Sequence, residues 1–440
     1  MSPEILTIIM FGGLLVGILA GFHIAFVMLG IALIVGVAGA GEGFFPMMVL
    51  RTYGAMTEYI LAAIPLFVFM GVMLQYSGAA ERLFSAVQLW LGPLRGGLTI
   101  TTVLICTIMA ACTGIVGASV TVMGLFALPA MLKRNYDKAL STGAICAAGT
   151  LGILIPPSIM LVIYGPMANI SIVQLFAAAI IPGLILAGLY IVYIGLRCFF
   201  NPKLGPPLPL EERRVPLKRK LSLGLTSLFP PIFLILAVLG TIFFGIAAVT
   251  EAAAAGAFAS MILAASYGKL NRQTLTAATY RTLTLTAMIM LITVAAFTFT
   301  GSFMMIGGRE VIRNLLLEVQ LPPLGILGIM LFAFFVLGIF VDWIGIIPIL
   351  VPLFTPMAIE LGFNPLWFSI LCCVCMQTSF LTPPMAIALF YMKGVAPKEI
   401  EFMPHIVGGV IPFIGLQLVG LALIAIFPQL VLWLPSLLIK

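Results

Sequence analysis

The fold of this chain is decided by a ten-residue stretch, Gly149–Ser158, which reads GTLGILIPPS and lies within a long apolar run at residues 139–168. Two consecutive prolines remove two backbone N–H donors and clash with the preceding turn, so a helix that contains them must break. The residue before each proline is also pushed away from helical geometry. We therefore expect a helix interrupted at Pro156 and Pro157, with unpaired carbonyl groups on one side of the break.

The composition around this stretch excludes a water-soluble protein. Only 8% of the 440 residues are charged and 62% are hydrophobic, whereas soluble proteins are about 25% charged. About 20 apolar residues span a bilayer as a helix, and continuous rather than alternating apolar runs favour helices over a β-barrel. We predict an all-α polytopic membrane protein with apolar segments near residues 5–22, 24–40, 60–77, 98–132, 139–168, 171–198, 221–246, 249–267, 283–303, 324–358, 366–392 and 405–427.

A second proline pair, Pro383-Pro384, follows the first by 227 residues (383 − 156) and lies within the run 366–392. At that offset, six of the 36 positions from Pro129 to Tyr164 are identical. In each half, an over-long run with a polar middle (98–132 and 324–358) precedes the Pro-Pro run. We interpret these long runs as re-entrant helical hairpins. The chain is then two repeats, residues 1–200 and 221–440, joined by a linker at 201–220.

Basic residues predict the orientation of the two repeats. The turn 133–138 has three basic residues, whereas its counterpart 360–365 has none. By the positive-inside rule the first turn is cytoplasmic and the second external, so the repeats are inverted. The same rule explains the net charge of +7 and the basic linker better than nucleic-acid binding, which requires a basic face with interleaved aromatic residues.

Candidate functional residues lie at the hairpin tips and the helix breaks. Residues 110–121 are rich in small side chains, which let backbones approach closely. The second tip, residues 338–345, contains Asp342. A charge at bilayer depth costs a few kcal/mol and is functional by default, so we expect Asp342 to contact a cation or the substrate. Glu251, near a span end, is either functional or a helix cap.

Each break offers two kinds of binding group. Freed carbonyl oxygens suit Na⁺, and the positive N-terminal end of a half-helix suits a carboxylate. At the second break, Thr382 is interpreted as an N-cap and Pro383 as the first helical residue. The candidate substrate contacts are Thr113, Ser119, Ser158, Asp342 and Thr382.

Other polar residues have a structural interpretation. His23 is either a proton carrier or a turn residue with a hydrogen-bond partner. The seven cysteines lie mostly in apolar runs and lack metal-site spacing, so we expect packing rather than disulfides or zinc. The charged set after the run 283–303 is interpreted as a solvated outer face, with docking of another protein as a hypothesis; it comprises Arg309, Glu310, Arg313 and Glu318.

Together these motifs resemble the large membrane subunit of tripartite ATP-independent periplasmic (TRAP) transporters, the DctM family. The resemblance covers essentially the whole chain and is carried by residues 62–67 (AAIPLF), 113–114 (TG), 149–160, 250–254 (TEAAA) and 381–384 (LTPP). It implies an elevator-type transporter in the bacterial inner membrane, driven by a Na⁺ gradient and without an organic cofactor. Its partners would be a small four-helix membrane subunit (DctQ-like) and a periplasmic substrate-binding protein (DctP-like).

The resemblance also implies the ion ligands, mostly backbone oxygens. One Na⁺ would bind between the first hairpin and the first break at Ala110, Thr113, Gly152, Ile155 and Pro157. A second would bind at Gly338, Ser379, Thr382 and Met385. Family substrates are mostly organic acids that carry a carboxylate. Ile115-Val116 stands where many members have serines, so the particular acid is not identified.

Other classes of membrane protein remain as alternatives. A proton-coupled organic-anion carrier that works without a binding protein would depend on a membrane carboxylate such as Asp342. An ion channel would need a continuous polar pore, which so few polar residues in the spans argue against. An intramembrane enzyme would need paired aspartates or a His-Glu-x-x-His helix, and the sequence has neither. We therefore predict a secondary transporter.

The topology gives a first testable prediction. The N-terminus, which begins Met1-Ser2-Pro3-Glu4 without the basic region of a cleaved signal peptide, is expected outside the cell. Reporter fusions should give a periplasmic signal at the N-terminus and a cytoplasmic signal in the loop 197–220, because basic loops stay inside. A cytoplasmic signal at both positions would contradict the external placement of the N-terminus.

Overall fold

The structure, a computed structural model, describes residues 1–209, 211, 215–318, 320–384 and 386–439, apart from the side chains of Cys112, Thr113, Leu316 and Leu317. This part of the chain forms helices and no strands, which confirms the all-α class. In chain order the α-helices are α1 (Pro3–Leu19), α2 (Ile24–Ala40), α3 (Phe44–Thr57), α4 (Ala63–Tyr76), α5 (Ala79–Leu91), α6 (Gly97–Thr113), α7 (Val116–Leu132), α8 (Lys138–Thr150), α9 (Ile159–Ala168), α10 (Ile172–Phe200), α11 (Leu217–Phe243), α12 (Val249–Ser266), α13 (Arg272–Met305), α14 (Gly308–Glu318), α15 (Pro323–Phe340), α16 (Trp343–Glu360), α17 (Pro365–Ser379), α18 (Ile387–Val395), α19 (Gly408–Ile426) and α20 (Gln429–Leu438).

Nine helical stretches in the described residues are long and apolar enough to cross a membrane. Large apolar side chains on their surfaces are exposed, for example Phe229 and Phe233 on α11 at 56% and 59%. Contiguous apolar surface of this kind is rare on soluble monomers and fits contact with lipid. The fold is therefore that of a polytopic membrane protein.

Both over-long apolar runs fold as pairs of packed helices, as expected. Hairpin 1 consists of α6 and α7, and hairpin 2 consists of α15 and α16. The two ends of hairpin 1 bond to neighbouring residues: Gly96 N–H donates to the Gly205 carbonyl (2.8 Å) and Asp137 N–H to the Leu204 carbonyl (2.9 Å). The ends of hairpin 1 therefore lie side by side. That both hairpins enter the membrane from one side only remains a prediction.

The first part of the linker is bonded to the chain before and after hairpin 1. Besides Leu204 and Gly205, Leu208 bonds to the chain before hairpin 1, through its N–H and the Gly92 carbonyl (2.8 Å), and its side chain is buried. The linker predicted at 201–220 also overlaps the start of α11. The boundaries of the two repeats, residues 1–200 and 221–440, stay a prediction.

Both Pro-Pro runs are interrupted where expected. α8 ends at Thr150 and α9 begins at Ile159, while α17 ends at Ser379 and α18 begins at Ile387. We call these interruptions break 1 and break 2; each contains a cis bond between its prolines. α8 and α17 also begin alike, because Asp137 Oδ1 accepts from Leu140 N–H (2.7 Å) and Asn364 Oδ1 from Leu366 N–H (2.9 Å). Such N-caps satisfy backbone donors that the first turn of a helix leaves unpaired.

The predicted start of the second half-helix is wrong. Thr382 does not cap a helix that starts at Pro383, because α18 begins only at Ile387 after Ala386 in a left-handed conformation. Instead, the Thr382 hydroxyl donates to the Thr378 carbonyl (3.0 Å) in α17. The physical reason lies in the second proline: Pro383 precedes Pro384, and a residue before proline is disfavoured in helical geometry.

Four shorter helices were not among the predicted apolar segments: α3, α5, α14 and α20. α5 and α14 are amphipathic, with acidic residues in their first turns. A search for long, uniformly apolar runs passes over such helices, since their apolar residues recur with helical period rather than continuously.

The inner halves of the broken helices form the centre of the molecule. All residues from Leu140 to Thr150 in α8 and from Leu366 to Ser379 in α17 are buried. α8 packs against α6, α7 and α19. At the crossing with α19 the backbones touch, because a Cβ on Gly409 would lie 2.2 Å from the Ala139 carbonyl oxygen. Small residues permit such contacts between membrane helices.

This contact predicts the effect of a methyl group. Gly409→Ala should lower the thermal unfolding midpoint of the detergent-purified protein, because relieving the clash with backbone shifts α19 and overpacking costs ~1–3 kcal/mol. Gly415→Ala on the same helix is the matched control, since a Cβ there has no neighbour within 4 Å. Equal midpoints for both variants would contradict the close α8–α19 crossing.

Candidate functional site

The tip of hairpin 1 lies directly against break 1. A Cβ built on Gly152 would lie 3.7 Å from the Ala110 Cα atom and 3.7 Å from the backbone of Ile115. The chain turns at Gly114, whose positive φ of 60° suits a residue without a side chain. Ala110 and Gly152, two of the predicted Na⁺ ligands, are thus brought together.

Hairpin 2 approaches break 2 even more closely. A Cβ on Gly338 would lie 2.2 Å from the Ser379 hydroxyl oxygen, so only glycine fits at this point of α15. The Ser379 hydroxyl donates to the Met376 carbonyl (2.6 Å). Gly338 and Ser379, predicted ligands of the second ion, therefore also lie in contact.

The prolines leave carbonyl groups without their usual helical partners. In a continuous helix the Gly152 and Ile153 carbonyls would accept from residues 156 and 157, and both are prolines without an N–H. The Ser158 hydroxyl donates a hydrogen bond to the Ile153 carbonyl. The Gly152 carbonyl has no such replacement among the hydrogen bonds of the described residues. Gly338 lies in the last turn of α15, where carbonyl groups also lack helical partners.

A small cavity lies between the two hairpin tips. It has a volume of about 90 Å³ and is lined by residues 114–117 of hairpin 1, residues 342–344 of hairpin 2, and residues Ile159, Leu285, Met288, Ile289, Phe380, Ile387 and Tyr391. Asp342 is the one charged side chain among these residues, and its Oδ1 accepts from Trp343 N–H (2.7 Å) as the N-cap of α16. Most of the lining is apolar.

The predicted substrate contacts are distributed unevenly around this cavity. Asp342 lines it, whereas Ser119 lines a separate space together with Gln75 and Met109. Ser158 is fully buried and bonded within break 1, and Thr382 is bonded to α17. The side chain of Thr113 and the whole of Met385 lie outside the described residues. The remaining predicted ion ligands, Ile155 and Pro157, lie within break 1.

Two polar residues beside the breaks escaped the sequence analysis. Thr150 and Gln377 are fully buried, and Gln377 Nε2 donates to Thr150 Oγ1 (3.0 Å). Their sequence separation is 227 residues, the same offset that relates the two Pro-Pro pairs. A polar pair at the repeat offset within apolar runs was the signal that could have found them.

The other polar residues have structural roles. Glu251 Oε2 accepts from Ala248 N–H (2.9 Å) as part of a helix cap, and His23 Nδ1 accepts from Ala25 N–H (3.4 Å) at the start of α2. Arg309 and Arg313 both pair with Glu360 at the end of α16 and stay partly exposed. Six cysteines are free thiols and buried. Among the described residues there is no cluster of histidine, cysteine and acidic side chains that could hold a metal ion.

The arrangement provides uncharged oxygen atoms where hairpin and break meet, with a carboxylate in the cavity between them. Uncharged oxygens can replace the hydration shell of a hard monovalent cation. Two half-helices, α9 and α18, also begin next to the cavity at Ile159 and Ile387. Their N-terminal ends carry partial positive charge that attracts anions.

Comparison with known proteins agrees with this architecture. Residues 7–430 match the family model described as "Tripartite ATP-independent periplasmic transporter, DctM component". The C4-dicarboxylate TRAP transporter large permease protein DctM of Vibrio cholerae is 32% identical over 87% of this chain and 86% of its own length. The sialic acid TRAP transporter large permease protein SiaM of the same species is 28% identical over 97% and 96%.

A solved structure shares the fold. The YdaH transporter of Alcanivorax borkumensis matches with a TM-score of 0.64 at 15% identity, over 96% of this chain and 98% of that protein. The family match over nearly the whole chain, the relative at 32% identity and the membrane-spanning helices agree with one another. The chain therefore belongs to the DctM family, the large permease component of TRAP transporters, which are multi-pass proteins of the bacterial inner membrane.

Proposed function

We propose that this permease imports an organic acid by coupling its movement to the inward flow of Na⁺. The observation that carries the proposal is the close contact of each hairpin with a helix break, between the backbones of Ala110 and Gly152 and between Gly338 and the Ser379 side chain. Both contacts combine small residues with carbonyl groups at helix ends, which suits a cation that prefers uncharged oxygen ligands. One Na⁺ would bind at each contact.

Ion binding would complete the substrate site. Na⁺ at the two contacts would hold both hairpin tips against the breaks, and these tips line the cavity next to the starts of α9 and α18. A carboxylate would then meet two half-helix N-termini and nearby bound cations rather than basic side chains. The cavity volume of about 90 Å³ is well below the ~300 Å³ of small ligand sites, so the substrate enters when the tips separate.

The partners follow from family membership. A soluble periplasmic protein would capture the acid and deliver it to the outer face, and a small membrane subunit would pack against the scaffold helices. The hairpins and broken helices would move together across the scaffold as an elevator. The relatives are named for C4-dicarboxylates and for sialic acid, which supports an organic acid as substrate. A transporter of this kind is not an enzyme.

A proton-coupled carrier is the second candidate. The observation that favours it is Asp342, the one charged side chain among the described cavity residues. A membrane carboxylate that gains and loses a proton can couple transport to a proton gradient. However, Asp342 already accepts a hydrogen bond from Trp343 N–H. This bond gives the carboxylate a structural role as a helix cap, and that role does not require it to bind a proton.

Reconstituted transport separates the two candidates. Proteoliposomes that contain this permease with its small subunit should accumulate the acid only with an inward Na⁺ gradient and the periplasmic protein, because the contacts offer neutral oxygens for a cation. A protonophore should leave this uptake unchanged. Uptake that is driven by a proton gradient without Na⁺, and is lost in Asp342→Asn, would reject Na⁺ coupling in favour of the proton-coupled carrier.

The Gly338–Ser379 contact predicts the effect of one methyl group on ion affinity. Gly338→Ala places a Cβ 2.2 Å from the Ser379 hydroxyl oxygen and should separate hairpin 2 from break 2. Overpacking of ~1–3 kcal/mol corresponds to a rise of about fivefold to about 150-fold in the half-saturating Na⁺ concentration of uptake.

Gly328→Ala, on the same helix α15, is the matched control because a Cβ there has no neighbour within 4 Å. It should keep the Na⁺ dependence of the wild type. An unchanged Na⁺ dependence in Gly338→Ala would rule out an ion site at this contact.

A further inference from the structure

A buried side-chain hydrogen bond joins the two helices, α8 and α17, that lead into the breaks. Gln377 Nε2 in α17 donates to Thr150 Oγ1 at the end of α8 (3.0 Å), and both side chains are fully buried. Thr150 lies two residues before Gly152 and Gln377 two residues before Ser379. Each partner is thus within one helical turn of a proposed ion ligand, but on opposite halves of the chain.

This bond resists relative movement of the two breaks. The Thr150 hydroxyl itself donates to the Ala147 carbonyl (2.7 Å), so its orientation is fixed by α8. The region around it is buried, with Gln417 and Tyr190 also fully buried. In such surroundings a lost hydrogen bond leaves polar atoms unsatisfied, which costs the full desolvation penalty. A shift at the end of α8 is therefore opposed unless α17 follows it.

A second glutamine bonds to the same oxygen from another helix. Gln417 Nε2 in α19 donates to Thr150 Oγ1 (3.2 Å) and is also fully buried. Gln417 lies on neither broken helix. Its amide can stabilise the end of α8. Although α19 packs against α17 as well as against α8, the hydrogen bond that the Gln417 side chain donates goes to Thr150 and not to α17.

We propose that the Thr150–Gln377 hydrogen bond couples the two ion sites, so that filling one break with Na⁺ positions the other break for its ion. Gln377 and Thr150 act as positioning residues and do not touch the ions. The inference rests on the proposed Na⁺ coupling and goes beyond it, because two independent sites would serve the same transport. Coupled sites make the transporter respond steeply to Na⁺ and disfavour states with a single ion.

The test compares two glutamines that share a bond partner. The full transporter with its small subunit is purified, and its thermal midpoint and its uptake are measured against Na⁺, with choline replacing Na⁺ at constant ionic strength. For two coupled sites the Hill coefficient approaches about 2 in the wild type. In Gln377→Leu it should fall to about 1, whereas Gln417→Leu, which removes an equally buried amide from the same oxygen, should keep the wild-type value.

Variants at Thr150 provide the rescue. Thr150→Val keeps the shape and loses the acceptor, so it should also lower the Hill coefficient to about 1, while Thr150→Ser keeps the hydroxyl and should restore it. The thermal measurement needs only folded protein, so loss of uptake in a variant does not prevent the comparison. A wild-type Hill coefficient in Gln377→Leu, or an equal fall in Gln417→Leu, would overturn the inference. A wild type that shows no response to Na⁺ would instead overturn the proposed coupling ion, and this inference with it.

Discussion

The structure depends on the absence of N–H groups at two pairs of prolines, the buried pair Pro156-Pro157 and the exposed pair Pro383-Pro384. A helix in a membrane must satisfy its backbone internally, and at each break it is unable to do so. Neighbouring residues compensate for the hydrogen bonds that the backbone loses at the breaks. The Ser158 hydroxyl donates to one freed carbonyl, and the Thr382 hydroxyl bonds back to α17. The tip of hairpin 1 lies against the backbone of break 1, and Gly338 of hairpin 2 contacts the Ser379 side chain.

The same constraint explains why the site contains so few charges. Backbone oxygens at helix ends already have the polarity that a monovalent cation needs, and helix N-termini already carry partial positive charge. Under the proposed function, ionised side chains would therefore not be required to hold either the ion or a carboxylate. The close approach that this design requires is provided by residues without side chains, at Gly114, Gly152 and Gly338.

The sequence predicted the parts of the fold that proline and hydropathy control. The prolines located both breaks, and the over-long runs located both hairpins. Boundaries that depend on local backbone geometry were less accessible: Thr382 followed by proline has the residues of a helix start, yet the second proline delays α18 to Ile387. Amphipathic helices such as α5 and α14 were missed for a different reason, because their short apolar faces do not form continuous runs.

The sequence predicted the part of the candidate site that depends on one distinctive side chain. It did not predict the part that depends on how the helices pack together. Asp342 stands out in an apolar segment, and it does line the cavity. Leucine, methionine and isoleucine residues of α13 line the same cavity, but nothing distinguishes them in sequence from lipid-facing neighbours. Ser119 and Ser158 are polar residues near the tips, yet their helices turn them away from the cavity or into backbone bonds.

The Thr150–Gln377 pair has a consequence for how the two halves came to differ. In a dimer of two identical halves, a residue beside the two-fold axis faces its own copy. In the predicted repeats these two positions correspond to each other, so a duplicated half would have begun with the same amino acid at both. Today one carries a hydroxyl and the other an amide, and their bond needs both. Under the predicted repeats, sequence divergence would then have reached the contact between the two halves, and neither half could rebuild this hydrogen bond with a second copy of itself.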